Sequence, residues 1–171
     1  GGADATFQFN QWSRTLGLAK AGKVDGYFPE YYSEGVKEYA IFSDPFPGGP
    51  LGFFALKKNS IKYSTLDDLK PYKIGTVQGY VNTPEFDNAA FLTKDPAKDD
   101  LTNFKKLLAG RIDLLVCDKF VGTYIVKQNM PDKLDQIEFL AKPLAELDLY
   151  VCMSKKKPNA QASVVMFNKG L

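Results

Sequence analysis

Apolar positions along this chain come in short strand-like runs, separated by helical segments of about ten residues. Residues 6–9 alternate and predict a short strand, after which Asn10 is placed to cap a helix over 11–21 that Gly22 ends. Residues 24–27 begin a second strand. The stretch FPEYYSEGVKEYAIFSDPFPGGP is rich in aromatics, proline and glycine, and predicts a loop with one helical turn near 33–39. Its end, 45–50, cannot continue a helix or a strand ladder, because proline and glycine break both, and is expected to connect two lobes.

Beyond the connector, 51–56 is an apolar strand with a solvated end at Lys57-Lys58-Asn59-Ser60. Ser64-Thr65-Leu66-Asp67 has the layout of a capping box, and Thr83-Pro84-Glu85 that of an N-cap, a first-position proline and a first-turn acid. Between them, 73–77 is a strand and 78–82 a tight loop. An amphipathic helix over 100–109 closes at Gly110, followed by a buried strand at 112–117 and a helix at 119–128. Strands at 137–140 and 147–153 and a helix from about Pro158 complete the pattern. Strands alternating with helices predict an α/β sheet containing parallel pairs.

Composition narrows the function. The chain has 171 residues, 44% hydrophobic and 25% charged, which is ordinary for a globular protein. Its net charge of +2 is scattered rather than grouped into a basic stripe, which argues against a nucleic-acid surface. No apolar run approaches the roughly 20 residues that span a bilayer. Gly1-Gly2-Ala3-Asp4 lacks the layout of a signal peptide, and Gly1-Gly2 is expected to be a remnant of cloning. The chain has no histidine, which removes the commonest general base and zinc ligand, and neither a catalytic residue nor a metal or cofactor site is expected. Cys117 and Cys152 each lie in an apolar run, where two buried thiols are favoured over a disulfide.

Five stretches, in order, resemble the polar-amino-acid solute-binding proteins of ABC importers (extracellular solute-binding family 3). WSRTLGLAKAGKVDGYF is similar to the family's tryptophan-led helix and "GK-x-D" strand, and EYAIFSDPFPGGPLGFFALKK to its "FSDPY" signature and hinge. TLDDLKPYKIGTVQGY resembles the opening of the second lobe. LLAGRIDLLVCDKFVGTYIV resembles the "GR-x-D-x-x-x-x-D" strand, and LYVCMSKKKPNAQASVVMFNKGL the return strand and closing helix. The resemblance implies a type II periplasmic-binding-protein-like α/β fold of two lobes joined by a hinge. Lobe 1, residues 1–50 and 152–171, would be incomplete at both ends, and lobe 2 would be 51–151. Exposed strand edges of an incomplete lobe are expected to invite self-association.

The resemblance also nominates binding residues. Asp118 matches the aspartate that takes a ligand's ammonium; an ordinary N-cap suits it equally, and the two roles are compatible. Tyr80, Val81, Asn82 and Thr83 precede a helix N-terminus, either as a site for a ligand carboxylate or as a surface turn. Asn10, Gln11 and Trp12 open the first helix, whose family counterpart edges the cleft, although core packing is the more ordinary role of a tryptophan. Tyr27, Phe28, Tyr31 and Tyr32 are expected to form an aromatic wall. Where the family carries a carboxylate-gripping arginine, this chain has Val36; the neighbouring Lys37 lacks the planar fork and reads as solvated.

The implied function is extracytoplasmic binding of a small polar solute, an amino acid or related compound, in an interlobe cleft, for delivery to the membrane subunits of an ABC importer. A ligand-sensing module and a degenerate, non-binding module of the same fold are the alternatives. A dehydratase-type enzyme is a more distant one.

Overall fold

The computed structural model describes residues 4–171, so the readings made on Gly1-Gly2 and Ala3 lie outside the described residues. In chain order the elements are α1 (Trp12–Lys20), β1 (Gly26–Tyr31), α2 (Glu34–Lys37), β2 (Ala40–Phe42), β3 (Pro50–Leu56) and β4 (Lys73–Val77). They continue with α3 (Pro84–Asp87), β5 (Thr93–Ala97), α4 (Asp100–Leu108), β6 (Leu114–Asp118), α5 (Lys119–Asn129) and β7 (Ile137–Phe139). The last are β8 (Ala145–Glu146), β9 (Leu149–Ser154) and α6 (Ala160–Asn168). They form two compact units: unit 1 comprises the chain up to Gly48 together with Asp148–Leu171, and unit 2 is Gly49–Leu147. The return crossing precedes β9, so that strand stays whole within unit 1.

Unit 1 is built on an antiparallel sheet of order β1-β9-β2. Ala19, Tyr27, Val36, Ala40 and Cys152 form its core, with Trp12, Leu16, Val24, Tyr39 and Phe42 packed against them. Helix α1 ends at Gly22, whose φ of +67° favours glycine and where a Cβ would come within 2.7 Å of Lys156. Three expectations are corrected here. Residues 6–9 are irregular, with Phe7 and Phe9 64% and 97% exposed, because alternation makes a strand only where a neighbour pairs with it. Gln11, not Asn10, takes the N-cap position of α1, and its side chain makes no capping bond. Strand β1 continues past Tyr27 through the aromatic "loop", because β9 pairs with it as far as Tyr31↔Leu149. Its register shifts between Tyr27 and Glu30, around Pro29.

Unit 2 contains a mixed sheet of order β5-β4-β6-β3-β7, in which β4 is parallel to β5 and β6, while β3 runs antiparallel to β6, β7 and β8. Strand β3 reads as a continuous apolar run because Leu51 through Leu56 are all buried. Phe54, Phe104, Leu107, Leu115 and Val126 belong to one buried hydrophobic cluster. Gly122 lets α5 lie directly on it: a Cβ there would stand 2.4 Å from the Phe54 ring. The Thr83 cap forms as the sequence predicts, whereas the capping box forms one residue later than the Ser64–Asp67 layout, between Thr65 and Asp68, because Asp68 accepts the Thr65 N–H. Strand β5 was not predicted, since its TKDPA sequence is polar; as an edge strand paired only with β4 it tolerates Pro96. Cys117 and Cys152 are both buried free thiols.

Candidate functional site

Because β4 and β6 are parallel neighbours, with Ile74↔Leu114 and Gly75↔Leu115, their carboxyl ends fall on one edge of unit 2. Strand β4 runs out there into the loop of residues 78–83, and β6 into Asp118. Strand β3 is antiparallel to β6, so its beginning meets the same edge through Leu51↔Asp118. Strand β8 joins it through Pro50↔Glu146. One edge therefore collects the 78–83 loop, Asp118 and both chain crossings into the unit. The carboxyl edge of an α/β sheet is where ligand groups converge.

Asp118 divides its two oxygens between two tasks. Its Oδ1 accepts the backbone N–H groups of Phe120 at 2.8 Å and Val121 at 3.0 Å, capping α5. Its Oδ2 turns toward Gly49, where a Cβ would stand 2.4 Å from that oxygen and 2.6 Å from the Phe120 ring. No lysine or arginine pairs with Asp118 among the described residues. Phe120 and Tyr124 are 64% and 65% exposed on the same helix. Sequence reasoning did not single them out. Their signal was the i, i+4 spacing of two aromatics just after the aspartate.

The 78–83 loop is internally bonded. Gly79 takes a φ of +83° to turn it. Asn82 is buried, and both its backbone N–H and its Nδ2 donate to the Asp87 carboxylate at 2.9 Å. Thr83 Oγ1 accepts from Phe86 N at 3.2 Å, and Thr83 O from Asp87 N at 2.8 Å. Helix α3 spans only four residues, with Glu85 and Asp87 as acids, and Val81 is half-buried beside it. The N–H groups of Asn82 and Phe86 are thus already committed within the protein.

Tyr80, 38% exposed, donates from its hydroxyl to Asp100 Oδ2 at 3.1 Å. Asp100 is only 4% exposed, and its Oδ1 is buried without a hydrogen-bond partner. Burial pushes the Asp100 carboxyl up to about 6; the Tyr80 and Cys117 hydrogen bonds pull it back, and neighbouring Asp99 pushes it further up. Burial, and then the Asp100 charge, raise the Tyr80 phenol well above its ordinary value. Asp100 escaped sequence reasoning, since an acid in the first turn of a helix reads as a favourable surface group.

In unit 1, Gln11 is exposed at the start of α1, and Trp12 is half-buried, its ring edge-on to Tyr27 at 5.6 Å and 69°. The expected aromatic wall divides. Tyr27 is core, while Phe28 is exposed and contacts Phe7 at 5.9 Å. Tyr32 is exposed beside Phe42, and Tyr31 is half-buried, with its N–H on Glu30 Oε1 at 3.0 Å. The Tyr27 hydroxyl donates to Glu30 Oε2 at 3.1 Å and lies 3.2 Å from the Tyr39 hydroxyl. Glu30 is 4% exposed; burial pushes its carboxyl up to about 7, against the pull of the bonds from Tyr27 and Tyr31. Val36 is buried in the core, and Lys37 pairs with Glu34 at 3.1 Å and lies over the Tyr32 ring. Among the described residues no group of three or more acids, cysteines or histidines could hold a metal, and no helix is long and apolar enough to cross a membrane.

No family model and no curated protein matches the chain. Solved structures do. A histidine kinase sensor domain with similarity to periplasmic binding proteins superposes with a TM-score of 0.82 at 19% identity, over 96% of this chain and 70% of that one. An ancestral arginine-binding protein bound to arginine gives 0.80 at 22% identity, over 98% and 73%. The substrate-binding protein of an amino acid ABC transporter gives 0.77 at 17% identity, over 95% and 70%. This is a periplasmic-binding-protein fold. The α/β class predicted from the sequence is the one observed. At such identities the likeness establishes the fold, and the chemistry rests on the side chains. What this binding-protein fold presents in unit 2 is a carboxylate oxygen without a salt-bridge partner among the described residues, beside the exposed Phe120 ring. That arrangement suits a hydrogen-bond donor or a cationic group on a small polar molecule.

Proposed function

We propose that the chain binds a small polar solute, an amino acid or related compound, outside the cytoplasm, for delivery to an ABC importer. The observation that carries this reading is Asp118. One oxygen serves the fold as a helix cap, while the other points at the chain crossing with no salt-bridge partner among the described residues. Within unit 2, Tyr80, Val81, Asn82 and Thr83 are the further proposed contacts; Gln11, Trp12, Phe28 and Tyr31 are the candidates of unit 1, taken by itself. The resemblance to amino-acid-binding proteins of this fold supports the solute class and the extracytoplasmic setting. With Val36 buried and Lys37 engaged by Glu34, the solute's acidic group, if it has one, is not met by an arginine at that position.

Thermal denaturation of the chain against a panel of amino acids, amines and carboxylates tests the reading. A compound that raises the midpoint in wild type and not in Asp118→Asn supports it. No shift with any compound favours a degenerate module. A sensing role is the second reading, supported by the likeness to a histidine kinase sensor domain. It predicts the same solute binding, with a signalling segment in place of an importer partner.

A further inference from the structure

The geometry points to Asp100 as a positioning residue for the 78–83 loop: its carboxylate tethers Tyr80, and protonating that carboxyl loosens the tether. Tyr80 follows the turn at Gly79, and Asp100 belongs to the first turn of α4, so the hydroxyl–carboxylate bond of 3.1 Å joins the loop to the helix behind it. The groups acting on Asp100 are the Tyr80 hydroxyl, the Cys117 thiol of β6 and the Asp99 carboxylate; no lysine or arginine pairs with it among the described residues. Its second oxygen is buried without a partner, so the anion is supported by the tyrosine, the thiol and its own backbone N–H.

An ionised Asp100 accepts a charge-assisted bond from Tyr80; a protonated one accepts a weaker neutral bond. The carboxyl is raised to about 6, so this change falls within the range a cell exterior visits. The protein contains no histidine, so few other groups titrate there, and the buried Glu30 of unit 1 is the other carboxyl so placed. The consequence for solute affinity rests on the proposed function, in which Tyr80 faces the solute. The tether itself does not.

Two-dimensional amide NMR of the full chain, titrated from about pH 4.5 to 8 without solute, tests the tether. In wild type the Gly79 and Tyr80 amides are expected to move in one step near pH 6. Exchange protection of the Tyr80 amide should fall about five- to tenfold below that step, as a charge-assisted bond gives way to a neutral one. The step should vanish in Asp100→Asn and persist in Glu30→Gln. Should Asp100→Asn not fold, Tyr80→Phe decides, since it keeps the carboxyl and removes the link: the Gly79 step should disappear. No step in wild type, or a Gly79 step that survives either variant, overturns the assignment. Because no solute is present, neither result depends on whether the chain binds one.

Discussion

Gly49 lies against the free oxygen of Asp118, so closely that a Cβ on the glycine would stand 2.4 Å from Oδ2. The aspartate cannot simply swing away, because its other oxygen holds two N–H groups of α5. The exposed Phe120 ring, also within 2.6 Å of that Cβ, is the freer to move. Gly49→Ala should therefore displace Phe120 and tilt the Asp118 carboxylate. The expected loss is about 1 kcal/mol of stability, comparable to a disturbed cap. Solute affinity should fall by more than that, and calorimetry on the same preparation compares the two.

The two tasks of Asp118 are separable by substitution. Asparagine caps a helix as well as aspartate does, whereas alanine does not. Asp118→Asn should leave the thermal midpoint nearly unchanged, while Asp118→Ala should cost about 0.5–2 kcal/mol. Both should lose solute binding. A hydrogen bond to a charged group contributes about 1.5–3 kcal/mol, so the expected drop is roughly 10- to 100-fold. An Asp118→Asn protein that binds as well as wild type would leave the residue as a cap only.

Glu30 makes unit 1 sensitive to pH in an unusual direction. Its carboxyl is raised from 4.5 to about 7 by burial, so the folded state holds the proton more tightly than the unfolded one. Stability from this group is present below about 4.5, falls as pH rises through the interval up to about 7, and then levels off. The size is on the order of 3 kcal/mol. Asp100 acts in the same sense between its ordinary 3.8 and about 6. Urea denaturation at several pH values should show stability declining toward neutrality, and Glu30→Gln should flatten the part of the curve that belongs to unit 1.

Gly122 offers a test of packing against propensity. Alanine is favoured over glycine inside a helix by about 1 kcal/mol. Here its Cβ would meet the Phe54 ring at 2.4–2.6 Å and Phe104 at 3.1 Å. Both rings are buried and packed edge to face at 72° with centroids 5.2 Å apart, so neither yields easily. Gly122→Ala should destabilise the protein by about 1–3 kcal/mol, the usual cost of overpacking. Chemical denaturation followed by tyrosine fluorescence of unit 2 measures it.

Unit 2 was more legible in the sequence than unit 1, and the reason is physical. Strand β3 and strand β4 are marked by apolar runs between turn residues, and Thr83 and a capping box, read one residue early, announce their helical turns through local bonds alone. Strand β1 was cut short because its continuation through Pro29 depends on β9, more than a hundred residues further along the chain. The alternation at residues 6–9 had no partner strand, so it produced nothing regular. At the candidate site, Asp118 could be named from its place between a buried strand and a helix. Gly49 beside it, and Asp100 behind Tyr80, arise from contacts across elements that no local pattern encodes.

Native mass spectrometry of the purified chain, first under gentle and then under denaturing conditions, tests solute binding most directly. The expected spectrum carries a small polar molecule that leaves on denaturation, and its mass tells whether it is an amino acid. A clean apo spectrum, with no thermal shift from amino acids, amines or carboxylates, would contradict solute binding and leave a module of this fold that has lost its ligand.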